Sequence, residues 1–141
     1  MKKILLSILV LLMGKLTLTG QTLSRDSLYH HDNGEKIYLD QQVDKIAAFP
    51  GGESQMMSWL MHSVKYPEDA KKKNAQGTVY GTFVVETDGS LTDLKILKSV
   101  YPSLDKEFIR VFTSSPKWQP ATKDGIPVRM QFIFPLKFKL D

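Results

Sequence analysis

Val128-Arg129-Met130-Gln131-Phe132-Ile133-Phe134-Pro135-Leu136-Lys137-Phe138-Lys139-Leu140 places an apolar side chain at every even position, with Arg129, Gln131, Lys137 and Lys139 at odd ones. Successive side chains of a strand point to opposite faces, so this period of two predicts a long strand with one face buried under helices and the other solvated. That is the signature of an antiparallel sheet in an α+β domain. Pro135 has no N–H to give to a ladder, which predicts an edge strand or a bulge.

Working upstream, Asp124 and Gly125 mark a turn, and Pro116, Trp118 and Pro120 hold an extended connector that cannot be helical. Before it, Leu104, Phe108, Val111 and Phe112 form one face of a helix running to about Thr113, with Ser103 as its expected cap. Thr78 to Thr87 alternates through Val79, Gly81, Phe83 and Val85, Val84 being out of pattern. After the Asp88-Gly89 turn the chain returns through Leu94, Ile96 and Val100, a hairpin. Pro67 opens a short helix with Glu68 and Asp69 in its first turn, Lys71 to Lys73 in its last and Asn74 as a left-handed cap. Glu53 to Val64 carries Met56, Leu60 and Val64 four apart, a further helix after the Phe49-Pro50-Gly51-Gly52 turn. The expected fold is α+β, two helices packed on one face of a three-stranded antiparallel sheet, with an additional N-terminal helix and strand, the latter at Ile37 to Leu39.

The 141 residues divide into an expected leader at 1–20, a polar arm with a short strand at 21–48 and one domain at 49–141. Lys2 and Lys3 followed by the apolar run Ile4 to Met13 have the layout of a secretory signal, with cleavage expected after Gly20 and the mature chain in the periplasm. The alternative is an inner-membrane anchor formed by residues 4–18, but a 15-residue helix covers about 22 Å against about 30 Å of hydrocarbon. The net charge of +4 includes Lys2, Lys3 and Lys15; without them 16 basic residues face 15 acidic ones, and no nucleic-acid footprint remains.

The chemistry-bearing residues form no catalytic set. There is no cysteine, so thiol catalysis, thiolate zinc sites and lipid tethering through cysteine are excluded. Adjacent His30 and His31 cannot share a two-ligand metal face, and His62 on its helix has no nucleophile beside it. Glu68 and Asp69 are helix N-terminal charges rather than a pair facing a substrate, and no phosphate-binding glycine loop is present. Trp59 and Trp118 read as packing anchors. We therefore expect no catalytic or metal residue, no cofactor and no small-molecule substrate. What remains is a long final strand with a free edge, which a partner peptide can extend.

The motif series Phe49-Pro50-Gly51-Gly52-Glu53, Tyr66-Pro67 with Ala70 and Gly77, Val85 with Asp88-Gly89, Leu104-Asp105, Pro116, Trp118 and Pro120, then Gly125, Pro127 and Val128, resembles the C-terminal domain of TonB over about Phe49 to Leu140. The resemblance implies a domain that binds the TonB box, a short peptide of outer-membrane transporters, by pairing it with the final strand. It implies a partner site formed by Tyr66, Pro67, Val128, Arg129, Met130, Gln131, Phe132, Ile133 and Phe134. The implied partners are TonB-dependent outer-membrane transporters or other envelope proteins; a homodimer through paired strand edges is a separate expectation drawn from the open edge. TonB itself has a membrane anchor coupled to ExbB and ExbD and a long proline-rich spacer. Here the 28 residues from Gln21 to Ala48 span only about 30 Å as a coil, so energy transduction by an anchored form is the alternative to a free binding domain.

Overall fold

The alternation at the C-terminus is realised as one 15-residue strand, and every other element is arranged around it. In the computed structural model, which describes residues 4–5, 17–18, 21–22 and 36–141, the elements of the body are β1 (Ile37–Tyr38), α1 (Glu53–Ser63), α2 (Glu68–Lys72), β2 (Gly77–Val85), β3 (Leu91–Lys98), α3 (Pro102–Thr113), β4 (Ala121–Lys123) and β5 (Ile126–Leu140). A 3-10 turn at Asp40–Gln42 follows β1. Two-residue strands also pair Ile4–Leu5 with Lys139–Leu140 and Thr17–Leu18 with Gln21–Thr22. The rest of the expected leader and arm, including His30 and His31, lies outside the described residues.

β2 is the central strand, antiparallel to both β3 and β5. Its register with β5 runs without a break from Gly77 opposite Phe138 to Val85 opposite Met130. The three-stranded antiparallel sheet is as expected, and β1 and β4 enlarge it. β1 pairs parallel with β5 at Arg129 and Met130, and β4 pairs antiparallel with Ile126 to Val128 across the Asp124-Gly125 turn. β4 lies just after the stretch read as a connector, where three residues between Pro120 and the Asp124-Gly125 turn are too few for a period to show. Residues 36–48, grouped with the arm by polarity, are built into the body because Ile37, Leu39 and Ala47 are buried.

Odd residues of β2 and even residues of β5 meet under the helices. Phe83 is the centre of this core, stacked on Phe112 at 5.3 Å and on Phe132 at 5.6 Å, with Trp118 edge-on at 5.4 Å. Phe49 and Trp59 extend the ring series to α1, and Trp118 is buried, an anchor as expected. Fully burying each such side chain contributes about 1.5–3 kcal/mol.

Two local expectations are corrected. Ser103 does not cap α3: Tyr101 is the N-cap, Pro102 takes the first helical position that suits its missing N–H, and the Ser103 hydroxyl is buried without a partner. The reverse face of the sheet is not solvated throughout, since Thr82, Val84, Arg129 and Gln131 are all buried. The Arg129 charge is met by Glu86, as described below, so burial there does not leave a charge bare.

The β2–β3 turn explains Gly89. Its φ of +89° is a region that side chains rarely adopt, and its carbonyl accepts the Trp118 N–H at 2.8 Å. The Asp88 carboxylate accepts from the Ser90 N–H and hydroxyl, which holds its pKa below the usual value. At the short helix, Asn74 takes a φ of +53°, the left-handed cap expected of it.

Candidate functional site

Met130 is paired with Val85 of β2 and with Tyr38 of β1 at once, so β1 lies on the outer side of β5. Ile4–Leu5 lies on that side too, at Lys139 and Leu140. Among the described residues nothing pairs with the outer side from Phe132 to Phe138. An unpaired strand edge of this length is what an extended peptide can join.

The direction of each backbone group follows from two observations. The Leu140 N–H donates to Gln76 Oε1 on the β2 side, and Pro135, which has no N–H, stands within an unbroken ladder opposite Tyr80. Alternation then directs even-numbered N–H and C=O groups of β5 toward β2 and odd-numbered ones outward. The parallel pairing of Tyr38 with Met130 engages the Gln131 N–H with the Tyr38 carbonyl, so Gln131 offers only an acceptor at the edge, Ile133 a donor and an acceptor, Pro135 only an acceptor, and Lys137 both. The first continuous window therefore runs from Phe132 to Pro135, four residues or about 13 Å.

Buried polar contacts hold this edge in place. Arg129 reaches across the ladder to Glu86, with Nε 2.5 Å from Oε1 and Nη2 3.1 Å from Oε2, and Glu86 also accepts from the Thr92 hydroxyl at 3.2 Å. The pair joins all three main strands just where β1 ends. Gln131 Nε2 donates to the Thr82 hydroxyl at 2.8 Å, while Gln131 Oε1 is buried without a partner. On the helical side the buried Glu107 carboxylate accepts the Lys65 N–H at 2.6 Å and both Nε and Nη2 of Arg110, and Arg110 Nη2 also donates to the Ser63 carbonyl. The hydrogen bond to Glu107 raises the Arg110 pKa. Glu107 thus fixes the α1–α2 connection that leads into Tyr66. Glu107 and Glu86 were not singled out in the sequence, where a lone acid carries no period or motif.

The residues expected to form the site fall into three groups. Phe132, Ile133 and Phe134 belong to the unpaired stretch, and Gln131 borders it with its N–H engaged by β1. The outer side of Arg129 and Met130 is already taken by β1, and Val128 is paired with Ala121. The expected edge is therefore shifted: its first part is occupied and its free part continues to Phe138, because strands as short as β1 and β4 leave no readable alternation. Tyr66 is buried beneath the far end of β5, edge-on to Phe138 at 5.6 Å, and its hydroxyl donates to the Ala75 carbonyl; burial raises its pKa. Pro67 is half-buried beside it as the N-cap of α2. The structure does not bring Tyr66 to the outer side of the strand.

His62 is exposed, its Nδ1 2.7 Å from the Ser58 carbonyl one turn earlier. Among the described residues no group of three His, Asp or Glu could hold a metal, and no helix is long and apolar enough to cross a membrane.

Comparison with known families finds a match, described as Gram-negative bacterial TonB protein C-terminal, over residues 62–140. No curated protein matches the chain. Two NMR structures of the Helicobacter pylori TonB C-terminal domain are similar. One, of residues 179–285, has 19% identity and a TM-score of 0.48 and covers 65% of this chain and 87% of its own. The other, of residues 194–285, has 21% identity and a TM-score of 0.42 and covers 58% and 88%.

Proposed function

From the premise that the chain belongs to the Gram-negative bacterial TonB protein C-terminal family, we propose that it is a non-catalytic periplasmic binding domain that takes up TonB-box-like peptides of outer-membrane transporters by strand addition. Domains of this family are periplasmic and serve protein interaction, with outer-membrane transporters and envelope proteins as partners. The observation that carries the reading is the unpaired outer side of β5 beyond the end of β1, where the Gln131 carbonyl, the Ile133 N–H and carbonyl and the Pro135 carbonyl face outward. Four such hydrogen bonds contribute about 2–6 kcal/mol before the cost of association is counted. Backbone pairing gives affinity, and the side chains alternating along the peptide give selectivity.

Ile133→Pro tests this. The substitution removes an outward N–H and leaves the inward ladder of Phe132 and Phe134 to β2 in place. Binding of a fluorescent synthetic TonB-box peptide should fall at least tenfold by anisotropy, while circular dichroism and the unfolding midpoint report that the domain is intact. Equal affinity in the folded variant would refute strand addition at this edge.

A further inference from the structure

Ile37 stands at the outside of the sheet, in a two-residue strand with β5 on one side and, among the described residues, nothing paired on the other. It is nevertheless 1% exposed. Paired residues of neighbouring strands share a face, so Ile37 lies beside Arg129, and Leu39 follows in register beside Gln131, on the face turned away from the helices. Thr82 and Val84 of β2 lie on that face too, opposite Ile133 and Gln131, and each is 2% exposed. Pro135 is buried there as well. Ile37, Leu39 and Val84 are no part of the core that the three helices build on the opposite face. Sheet neighbours can lean over a central valine, but an isoleucine on the outermost strand has neighbours on one side alone. Its burial therefore requires a cover, and since this burial is that of a single chain, the cover is another part of the same chain.

We propose that residues 23–35 fold back over this face and complete a second, smaller core on Ile37, Leu39 and Val84. The segment enters the body at Lys36, immediately before Ile37, so it begins at the patch itself. Asp32-Asn33-Gly34 supplies the residues that a reversal of the chain needs there. The nine residues before that turn reach about 30 Å when extended, enough to follow β5 from Arg129 to Lys137. Leu23, Leu28 and Tyr29 bring apolar surface to bury. Asp26, Asp32 and Glu35 outnumber Arg25, and the face offers Lys98 opposite Tyr80 and Lys137 opposite Thr78, so the charges are complementary. An arm seated in this way is a layer of the domain and not a spacer.

The test uses methyl NMR on the chain from Gln21 to Asp141 and on its Leu28→Asp/Tyr29→Asp variant. In the native chain, nuclear Overhauser contacts should join Leu28 or Tyr29 to the methyls of Ile37, Leu39 or Val84. A soluble gadolinium chelate should broaden Ile37 and Val84 no more than the core methyls of Leu60 and Val79. In the variant the contacts should be lost and the broadening of Ile37 and Val84 should rise toward that of Ile126, which is exposed, while Leu60 and Val79 stay sharp and report a folded domain. If the variant unfolds, the contacts in the native chain decide alone. Methyls that are protected without any contact from residues 23–35, protection that the folded variant keeps, or methyls already exposed in the native chain would each overturn the proposal. A dimer by sedimentation whose dissociation exposes Ile37 and Val84 would overturn it in favour of a second copy.

Discussion

Replacing Gly89 with alanine tests the junction between the β2–β3 turn and the aromatic core. A Cβ built on Gly89 would stand 2.0 Å from the Trp118 carbonyl oxygen and 3.1 Å from its nitrogen. Carbon–oxygen contacts close to about 3.3 Å at best, so the two backbones must part by about 1.3 Å, which breaks the 2.8 Å bond from the Trp118 N–H. The positive φ adds about 1–2 kcal/mol, the lost hydrogen bond about 0.5–1.5, and displacement of Trp118 from its place against Phe83 about 1–3. The sum is about 2.5–6.5 kcal/mol, a large part of the 5–15 kcal/mol stability expected of a domain. Gly125 is the matched control: its φ is +76° and nothing lies within 4 Å of a Cβ there, so Gly125→Ala carries the backbone term alone, about 1–2 kcal/mol. Urea unfolding followed by tryptophan emission suits both variants, since Trp59 and Trp118 are the chain's two tryptophans. Gly89→Ala should unfold at clearly lower urea with an unchanged slope, the difference between the variants being about 1.5–4.5 kcal/mol. Equal midpoints for the two would refute the steric account.

Three further outcomes follow from the contacts described. Glu107→Ala leaves the Lys65 N–H unmatched and should lower stability by about 1–3 kcal/mol, whereas Glu107→Gln keeps an acceptor and should lose less; equal losses in urea titrations would contradict the role given to that carboxylate. Burial raises the Tyr66 pKa above its unfolded value of about 10, so the stability linked to its neutral form is complete below pH 10 and declines as pH rises through the folded value. Tyr66→Phe should therefore lose melting temperature less steeply between pH 9 and pH 11 than the native chain, and parallel curves would refute the linkage. Phe83→Ala, which opens the centre of the ring cluster, should cost about 3–5 kcal/mol, and a loss under 1 kcal/mol in chemical denaturation would remove Phe83 from the role of core keystone.

The sequence by itself determined the elements whose side chains repeat. Alternation from Val128 to Leu140 and from Val79 to Val85 defined the two long strands, and spacing of four defined α1, since one buried face imposes its period directly on the residue order. Turn residues with forced geometry, Gly89 and Gly125, were legible for the same local reason. The free edge was anticipated from Pro135, whose missing N–H is a property of the residue alone. Only the tertiary structure decided where that edge begins. β1 and β4 are strands of two and three residues, too short to show a period, and they occupy the outer side of Arg129 and Met130 and the pairing of Val128. Tyr66 belongs to a motif, but its burial beneath Phe138 follows from the way α2 packs at the far end of the sheet. The partnerships of Glu86 with Arg129, Glu107 with Lys65 and Gln131 with Thr82 join residues more than forty positions apart. A single sequence carries no trace of such pairs, because each member satisfies a polar group that becomes buried only once the chain has closed on itself.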